Sequence, residues 1–260
     1  MRFMVCLKPV PEPGTVRVDP ETHTLKRESA TLILNPADRY ALEAAVELKE
    51  KTGAEVVAVM MGPPNAAPLL KEAYACGADE VYLLSDRAFA GADTLATSYV
   101  LSLAAQKLGA FDLIFCGKVS IDGETAQVGP ELAAWLDWPS VIWVKELSPV
   151  EGGFEVVRVT DEGEERLVAK TPILFTIEPE SNDPRPPSVK RLLEMLEKDV
   201  PTLTAEDLGA DPARLGLEGS PTRVLDVFTP TYEGKKELLE GAAEEVVEKL
   251  VSILKERGLI

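Results

Sequence analysis

Four short runs of β-forming residues, separated by stretches whose apolar residues recur at helical spacing, constrain the fold of this chain more than any other feature. The runs are 3 to 7 (Phe-Met-Val-Cys-Leu), 54 to 61 (Ala-Glu-Val-Val-Ala-Val-Met-Met), 80 to 84 and 111 to 116 (Phe-Asp-Leu-Ile-Phe-Cys). Being apolar at consecutive positions, they read as strands buried on both faces, as in a parallel sheet. Between the first two, Asn35 and Pro36 have the form of an N-cap with proline in the first turn. Tyr40, Ala41, Ala44, Ala45 and Leu48 then share one helical face, while Arg39, Glu43, Glu47 and Glu50 take the other. Residues 65 to 76 and 93 to 108 repeat the theme. Strands alternating with helices require right-handed crossovers, so the expected class is α/β, a doubly wound and mostly parallel sheet.

After Pro139 the pattern changes. Runs at 140 to 146, 154 to 159 and 166 to 169 are separated by Glu151-Gly152-Gly153 and Asp161-Glu162-Gly163, which have the composition of hairpin turns. This predicts an antiparallel elaboration of the sheet, after which Pro172 to Ile177 returns as the last central strand. Prolines crowd at 179, 184, 186 and 187, and a short helix over Val189 to Leu196 leads into a stretch punctuated by Pro and Gly as far as Gly234. A final helix is expected from about Lys235 to Arg257, with Leu239, Ala243, Val246, Leu250 and Ile253 on one face and Gly258 as its cap. The division expected is an α/β domain over 1–185 and, over 186–260, a C-terminal arm ending in a helix. An apolar stripe on such an arm needs a covering surface, either its own domain or a partner, and the arm is expected to bind a partner.

Charge narrows the partners. With 44 acidic against 27 basic residues the formal net charge is −17, which repels polyanions and argues against nucleic acid or an anionic membrane. No apolar run reaches the roughly 18 residues of a membrane span, and the N-terminus has no cleavable-signal pattern, so a cytoplasmic location without membrane insertion is expected. Cys6, Cys76 and Cys116 are too widely spaced for a disulfide framework or a CxxC site, and His23 has no spaced metal partner and is expected at the surface.

The stretch most informative for chemistry is Gly117-Lys118-Val119-Ser120-Ile121-Asp122-Gly123-Glu124-Thr125-Ala126-Gln127-Val128-Gly129-Pro130, directly after the strand at 111 to 116. Ligands of open parallel sheets sit at the carboxyl ends of strands where the strand order reverses. Pro130 is tolerable only near a helix start, since deeper it would cost about 3 kcal/mol. The helix should therefore begin near Thr125 or Ala126, presenting the amides of Ala126 to Val128 to an anion, with Gly123 letting the backbone wrap it and Ser120 and Thr125 adding hydroxyls. On these residues alone, a phosphate site and an ordinary strand-to-helix loop both remain open.

This segment, continuing into Glu131-Leu132-Ala133-Ala134-Trp135-Leu136-Asp137-Trp138-Pro139, closely resembles the long motif of electron-transfer flavoprotein beta subunits. Lys8-Pro9-Val10-Pro11, Asn35-Pro36 with Ala41 to Ala45, Met61-Gly62-Pro63, Ala75-Cys76-Gly77-Ala78-Asp79 and Asn182-Asp183-Pro184-Arg185 follow in the family's order, so the resemblance covers roughly residues 1 to 196. It implies a heterodimer with a larger alpha subunit that holds most of the redox FAD, and a beta pocket that holds AMP or, in members that split electron pairs, a second FAD. By position, Cys6, Asn35, Pro36, Ala37, Asp38 and Met61 would line the adenine side and Gly117 to Val128 the phosphate. Asp93, Thr94 and Thr97, which open a helix, are possible contacts of a second flavin, with ordinary helix capping as the alternative. Arg185 and Val189 would face the flavin dehydrogenase that docks transiently. Here the sequence departs from the family, with Lys190-Arg191-Leu192-Leu193-Glu194-Met195 where many members have Pro-Asn-Ile-Met-Lys-Ala.

The expected function is that of an electron-carrier subunit. One histidine and scattered serines assemble no nucleophile, base and orienting group. The alternative is a stand-alone adenine-nucleotide module, which would pair with itself and bind ATP without the 178–260 segment; a nucleotide-dependent ligase or hydrolase is disfavoured because neither a P-loop nor GxGxxG is present.

Overall fold

The computed structural model describes residues 1–13, 31–225 and 237–260; His23 and the expected start of the last helix at Lys235 fall outside them. Two compact units are formed, Met1–Asp226 and Val227–Ile260.

The first unit is built on a nine-stranded sheet. Its strands are β1 (Arg2–Leu7), β4 (Glu55–Met61), β5 (Glu80–Leu84), β6 (Leu113–Gly117), β7 (Ser140–Val150), β8 (Gly153–Thr160), β9 (Gly163–Ala169), β10 (Ile173–Ile177) and β11 (Thr202–Leu203). Their spatial order is β11-β5-β4-β1-β6-β10-β7-β8-β9, parallel as far as β7 and antiparallel through β8 and β9. A separate antiparallel ribbon pairs β2 (Pro9–Pro11) with β3 (Leu32–Leu34). The expected class and the central place of the 173–177 strand are both observed.

The helices are α1 (Pro36–Thr52), α2 (Ala67–Ala75), α3 (Thr94–Leu108), α4 (Val128–Leu136) and α5 (Val189–Leu196). Side chains alternate across each strand, so one face of β1 sends Phe3, Val5 and Leu7 into a core with α1 and α2. The other face sends Met4 and Cys6 into a second core with α3 and α4. This two-sided burial is what the continuous apolar runs encode.

Three expectations need correction. The strand expected from 111 begins at Leu113, preceded by Asp112, whose side chain accepts from the Arg2 amide at 2.7 Å. Glu43, expected on the wet face of α1, is buried because Arg185 reaches it from 142 residues away. Residues 197 to 215, expected within an arm, pack on the sheet: β11 adds to the β5 edge, and Leu208 and Leu215 are buried in the second core.

The second unit contains α6 (Ala243–Glu256), which starts later than expected: residues 237 to 242, Leu239 among them, are not helical, and Gly241 at φ 142° precedes the cap residue Ala242, while Gly258 at φ 64° caps the other end as expected. No residue of α6 is buried, and Val247 and Leu250 are exposed. Among the described residues no helix is long and apolar enough to cross a membrane.

Candidate functional site

Strand order reverses at β1. Its neighbours are β4, reached through α1 on one face, and β6, which follows α3 on the other. The crevice between the carboxyl ends of β1 and β6 is therefore the place where this topology leaves room for a ligand.

The loop after β6 enters that crevice and is tied from the β1 side at four points. Lys8 Nζ donates to Asp122 Oδ1 at 2.6 Å and to Ser120 Oγ at 3.1 Å. Asn35 Nδ2 donates to the Val119 carbonyl at 2.9 Å, and the Ile121 amide donates to Asn35 Oδ1 at 3.2 Å. Burial alone would raise the Asp122 carboxyl, but the Lys8 ammonium holds it below the usual carboxylate range. Lys118 turns away to pair with Glu178 at 2.8 Å and to lie over the Trp143 ring at 4.9 Å.

Beyond this anchored part the loop bends at Glu124 and Ala126, with φ of 52° and 55°. Gly123, expected to supply that freedom, has no positive φ, and a Cβ built there meets only Ser120 Oγ at 3.5 Å. The left-handed conformation costs a non-glycine residue about 1–2 kcal/mol, so the strain sits one and three residues later than expected. α4 begins at Val128, two to three residues after the expected start; Pro130 still falls in its first turn. Among the described residues, the amides of Thr125, Ala126, Gln127 and Val128 donate to no protein acceptor. They form a consecutive run of unengaged donors following the carboxyl end of β6.

Beneath the loop, Asp38 is buried and accepts from the Lys8 amide on Oδ2 at 2.7 Å and from Asn35 Nδ2 on Oδ1 at 2.9 Å. Desolvation raises its pKa to about 7 against those hydrogen bonds. Gly117 is required at its position: a Cβ there would lie 2.3 Å from Asp38 Oδ1 and 2.8 Å from the Ala37 carbonyl carbon. Asn35 stands at the start of α1, but its side chain makes no cap bond. Cys6 and Cys116 are free thiols buried on adjoining strands; the hydrogen bond between them and their burial push the Cys116 thiol well above its ordinary range. Met61, half-buried at the end of β4, packs against the same core.

The start of α3 leans on the start of α4. Thr94 Oγ1 and Ser98 Oγ donate to the two oxygens of Glu131, at 3.1 and 3.3 Å. Asp93 caps α3 by accepting from the Ala96 amide, and its second oxygen accepts from the Thr222 amide and hydroxyl. Thr97 is half-buried, and among the described residues its hydroxyl has no partner.

Of the two residues expected to meet a docking protein, Arg185 turns inward, forked onto Glu43 and Glu50. Val189 is 70% exposed, and Leu193 (64%) and Leu196 (67%) continue its stripe along α5. Lys8 is the contributor that residue patterns missed. Its place, first after a strand at the strand-order reversal, is the signal that would have found it.

The family model "Electron transfer flavoprotein domain" matches residues 22–208. The chain belongs to the electron transfer flavoprotein family. It is 46% identical to "Electron transfer flavoprotein subunit beta" of Thermoanaerobacterium thermosaccharolyticum, over the whole of both chains. It is 43% identical to "Caffeyl-CoA reductase-Etf complex subunit CarD" of Acetobacterium woodii, again over the whole of both. It is 39% identical to "Protein FixA" of Azorhizobium caulinodans, across 91% of this chain and 87% of that one. The likeness runs along all or most of each chain, and the role it supports is electron transfer.

Proposed function

We propose that this chain is the beta subunit of a heterodimeric electron-transfer flavoprotein, and that the loop after β6 grips the phosphate of an adenosine nucleotide. The observation that carries the reading is the set of unengaged amides at Thr125 to Val128, at the carboxyl edge where strand order reverses. Four consecutive donors at the head of α4, with the positive end of the helix dipole behind them, suit a phosphate. The nucleotide is AMP or the AMP half of a second FAD; Asp93, Thr94 and Thr97 are where the longer ligand would extend. Cys6, Asn35, Pro36, Ala37, Asp38 and Met61 surround the adenine side.

The redox flavin, held mainly by an alpha subunit, supplies the electron chemistry; this chain binds, orients and excludes water around it. Denaturing the purified complex and counting what is released tests the reading. One FAD and one AMP per heterodimer identifies AMP in the beta pocket, and two FAD identifies a second flavin. One FAD with no second nucleotide removes the phosphate site. A stable dimer of this chain alone that binds ATP would instead establish the stand-alone module.

The apolar stripe of Val189, Leu193 and Leu196 is proposed as the transient docking site of the electron-donating dehydrogenase, and the apolar face of α6 as a partner-binding element. An exposed apolar anchor beside Lys190 and Glu194 has the form of a small hot spot with a charged rim. Val189→Ala is expected to slow electron delivery at limiting donor by about fivefold, a loss near 1 kcal/mol, with flavin content intact. An unchanged rate would remove the assignment.

A further inference from the structure

The side chains of Asn35 and Asp38 lie among residues that the nucleotide reading places around the adenine, yet their polar atoms are already committed elsewhere. Asn35 is 1% exposed and Asp38 6%. An amide side chain has two N–H donors and one carbonyl acceptor. In Asn35 one N–H goes to Asp38 Oδ1, the other to the Val119 carbonyl, and the carbonyl accepts from the Ile121 amide. Only this orientation of the amide serves all three partners, because the reverse would set oxygen against two oxygens and N–H against N–H. Both of its donors are therefore spent within the chain.

We propose that Asn35 and Asp38 act as a two-residue latch that positions the ligand loop, Asp38 orienting Asn35 and Asn35 fixing the backbone at Val119 and Ile121. This rests on the nucleotide reading above for what the loop holds. The latch links three elements distant in sequence: the exit of β1 at Lys8, the first turn of α1, and the loop leaving β6. Asp38 accepts from the Lys8 amide on one oxygen and from Asn35 on the other, so it sets the plane of the Asn35 amide. Gly117 is the room the latch needs, since a side chain there would strike Asp38 Oδ1. The consecutive run of free amides at Thr125 to Val128 starts four residues beyond Ile121, so the latch acts at the fixed end of a short lever. A shift at Ile121 is carried to every donor that faces the phosphate.

The test is hydrogen exchange over residues 118–123 of the nucleotide-free complex, beside AMP titration of the same proteins. In Asn35→Ala and in Asp38→Ala, exchange over 118–123 is expected to quicken at least tenfold, while the strands β1 and β6 keep their protection. AMP affinity should fall about tenfold in each single variant, and the double variant should be no worse than either, as for residues acting through one contact. Should the alanine variants not accumulate folded, Asn35→Asp and Asp38→Asn keep the shape and break the same donor–acceptor match. Unchanged exchange over 118–123 when Asp38 is replaced, or affinity losses that add, would overturn the latch. If the unaltered complex binds no AMP, the nucleotide reading fails, while the exchange results still decide the latch.

Discussion

Replacing Arg185 with alanine is expected to lower the melting temperature of the purified protein by about 10 °C. The Arg185 guanidinium donates to both oxygens of Glu43, at 2.8 to 3.1 Å, and to Glu50 at 2.6 Å. The Arg185 amide also donates to Glu43 Oε2 at 3.0 Å. The Glu43 side chain is only 6% exposed, against 55% for Glu50. Removing the cation leaves the Glu43 carboxylate buried with a single backbone donor, and breaking such a pair costs roughly 3–5 kcal/mol. In a unit of this size each kcal/mol shifts the midpoint by about 2–4 °C. Glu43→Gln in the Arg185→Ala background should recover part of the loss, because a neutral amide carries no uncompensated charge. Glu50→Gln alone should cost under about 1 kcal/mol, its half of the fork being exposed. A drop below 2 °C, or no recovery on neutralising Glu43, would show that the pair is not what holds the segment. The consequence reaches function, because Arg185 leads directly into the segment that seats α5. The Arg185 carbonyl accepts from Cys76 Sγ, the Ser188 amide donates to the Ala75 carbonyl, and Arg191 stacks on Tyr74. The exposed face of Val189, Leu193 and Leu196 is aimed outward by these inward contacts.

What the sequence made legible, and what it hid, follows from the range of the interactions. β1, β4 and β5 stood out because burial on both faces leaves a continuous apolar run, a signal contained within the strand itself. The two residues of β11 carry no such signal; they are a strand because the edge of β5 offers them hydrogen-bonding groups. Glu43 lies on the polar stripe of α1, and only a partner 142 residues away makes its burial tolerable. Asn35 sits where a local rule predicts a helix cap, yet Val119 and Ile121 claim its side chain. In the loop, glycine at 123 drew the bend toward itself by composition, whereas the chain takes positive φ at Glu124 and Ala126. The crevice could be located from strand order, since topology is written in the alternation of elements. Asn35, Asp38, Ser120 and Asp122 are named through the family motif, but their pairing with one another and with Lys8 could not be read, because each partner lies 30 to 114 residues away in the chain or is turned by one that does.

Asp38 turns the latch into something pH can probe. Burial raises its pKa from 3.8 to about 7, against the hydrogen bonds from Asn35 and Lys8 and the nearby Lys8 charge. A carboxyl group whose pKa is raised in the folded state holds its proton more tightly folded than unfolded. Its contribution to stability is therefore fully present below about pH 4 and is lost as pH rises through about 7, at about 1.4 kcal/mol per pH unit in between. Asp38→Asn is neutral throughout that window. Its absolute stability is lowered by a fixed amount, because the amide N–H₂ must face either the Lys8 amide or the Asn35 amide, each a donor. The stability of Asp38→Asn relative to the unaltered protein should nevertheless improve by about 2 kcal/mol between pH 5.5 and 7.5, then level off above about pH 8. Taking the difference cancels the other titrating groups, and the facing Cys116 thiol is pushed well above this range. Denaturant unfolding of the two proteins at four or five pH values measures it. A difference that stays flat would mean the carboxylate is ionised at every pH tested, its burial fully offset by Asn35 and Lys8. A difference that moves as expected puts a proton in the latch near neutral pH. That proton occupies an oxygen which otherwise accepts from Lys8 or Asn35, so the grip on Val119 and Ile121 would loosen as pH falls.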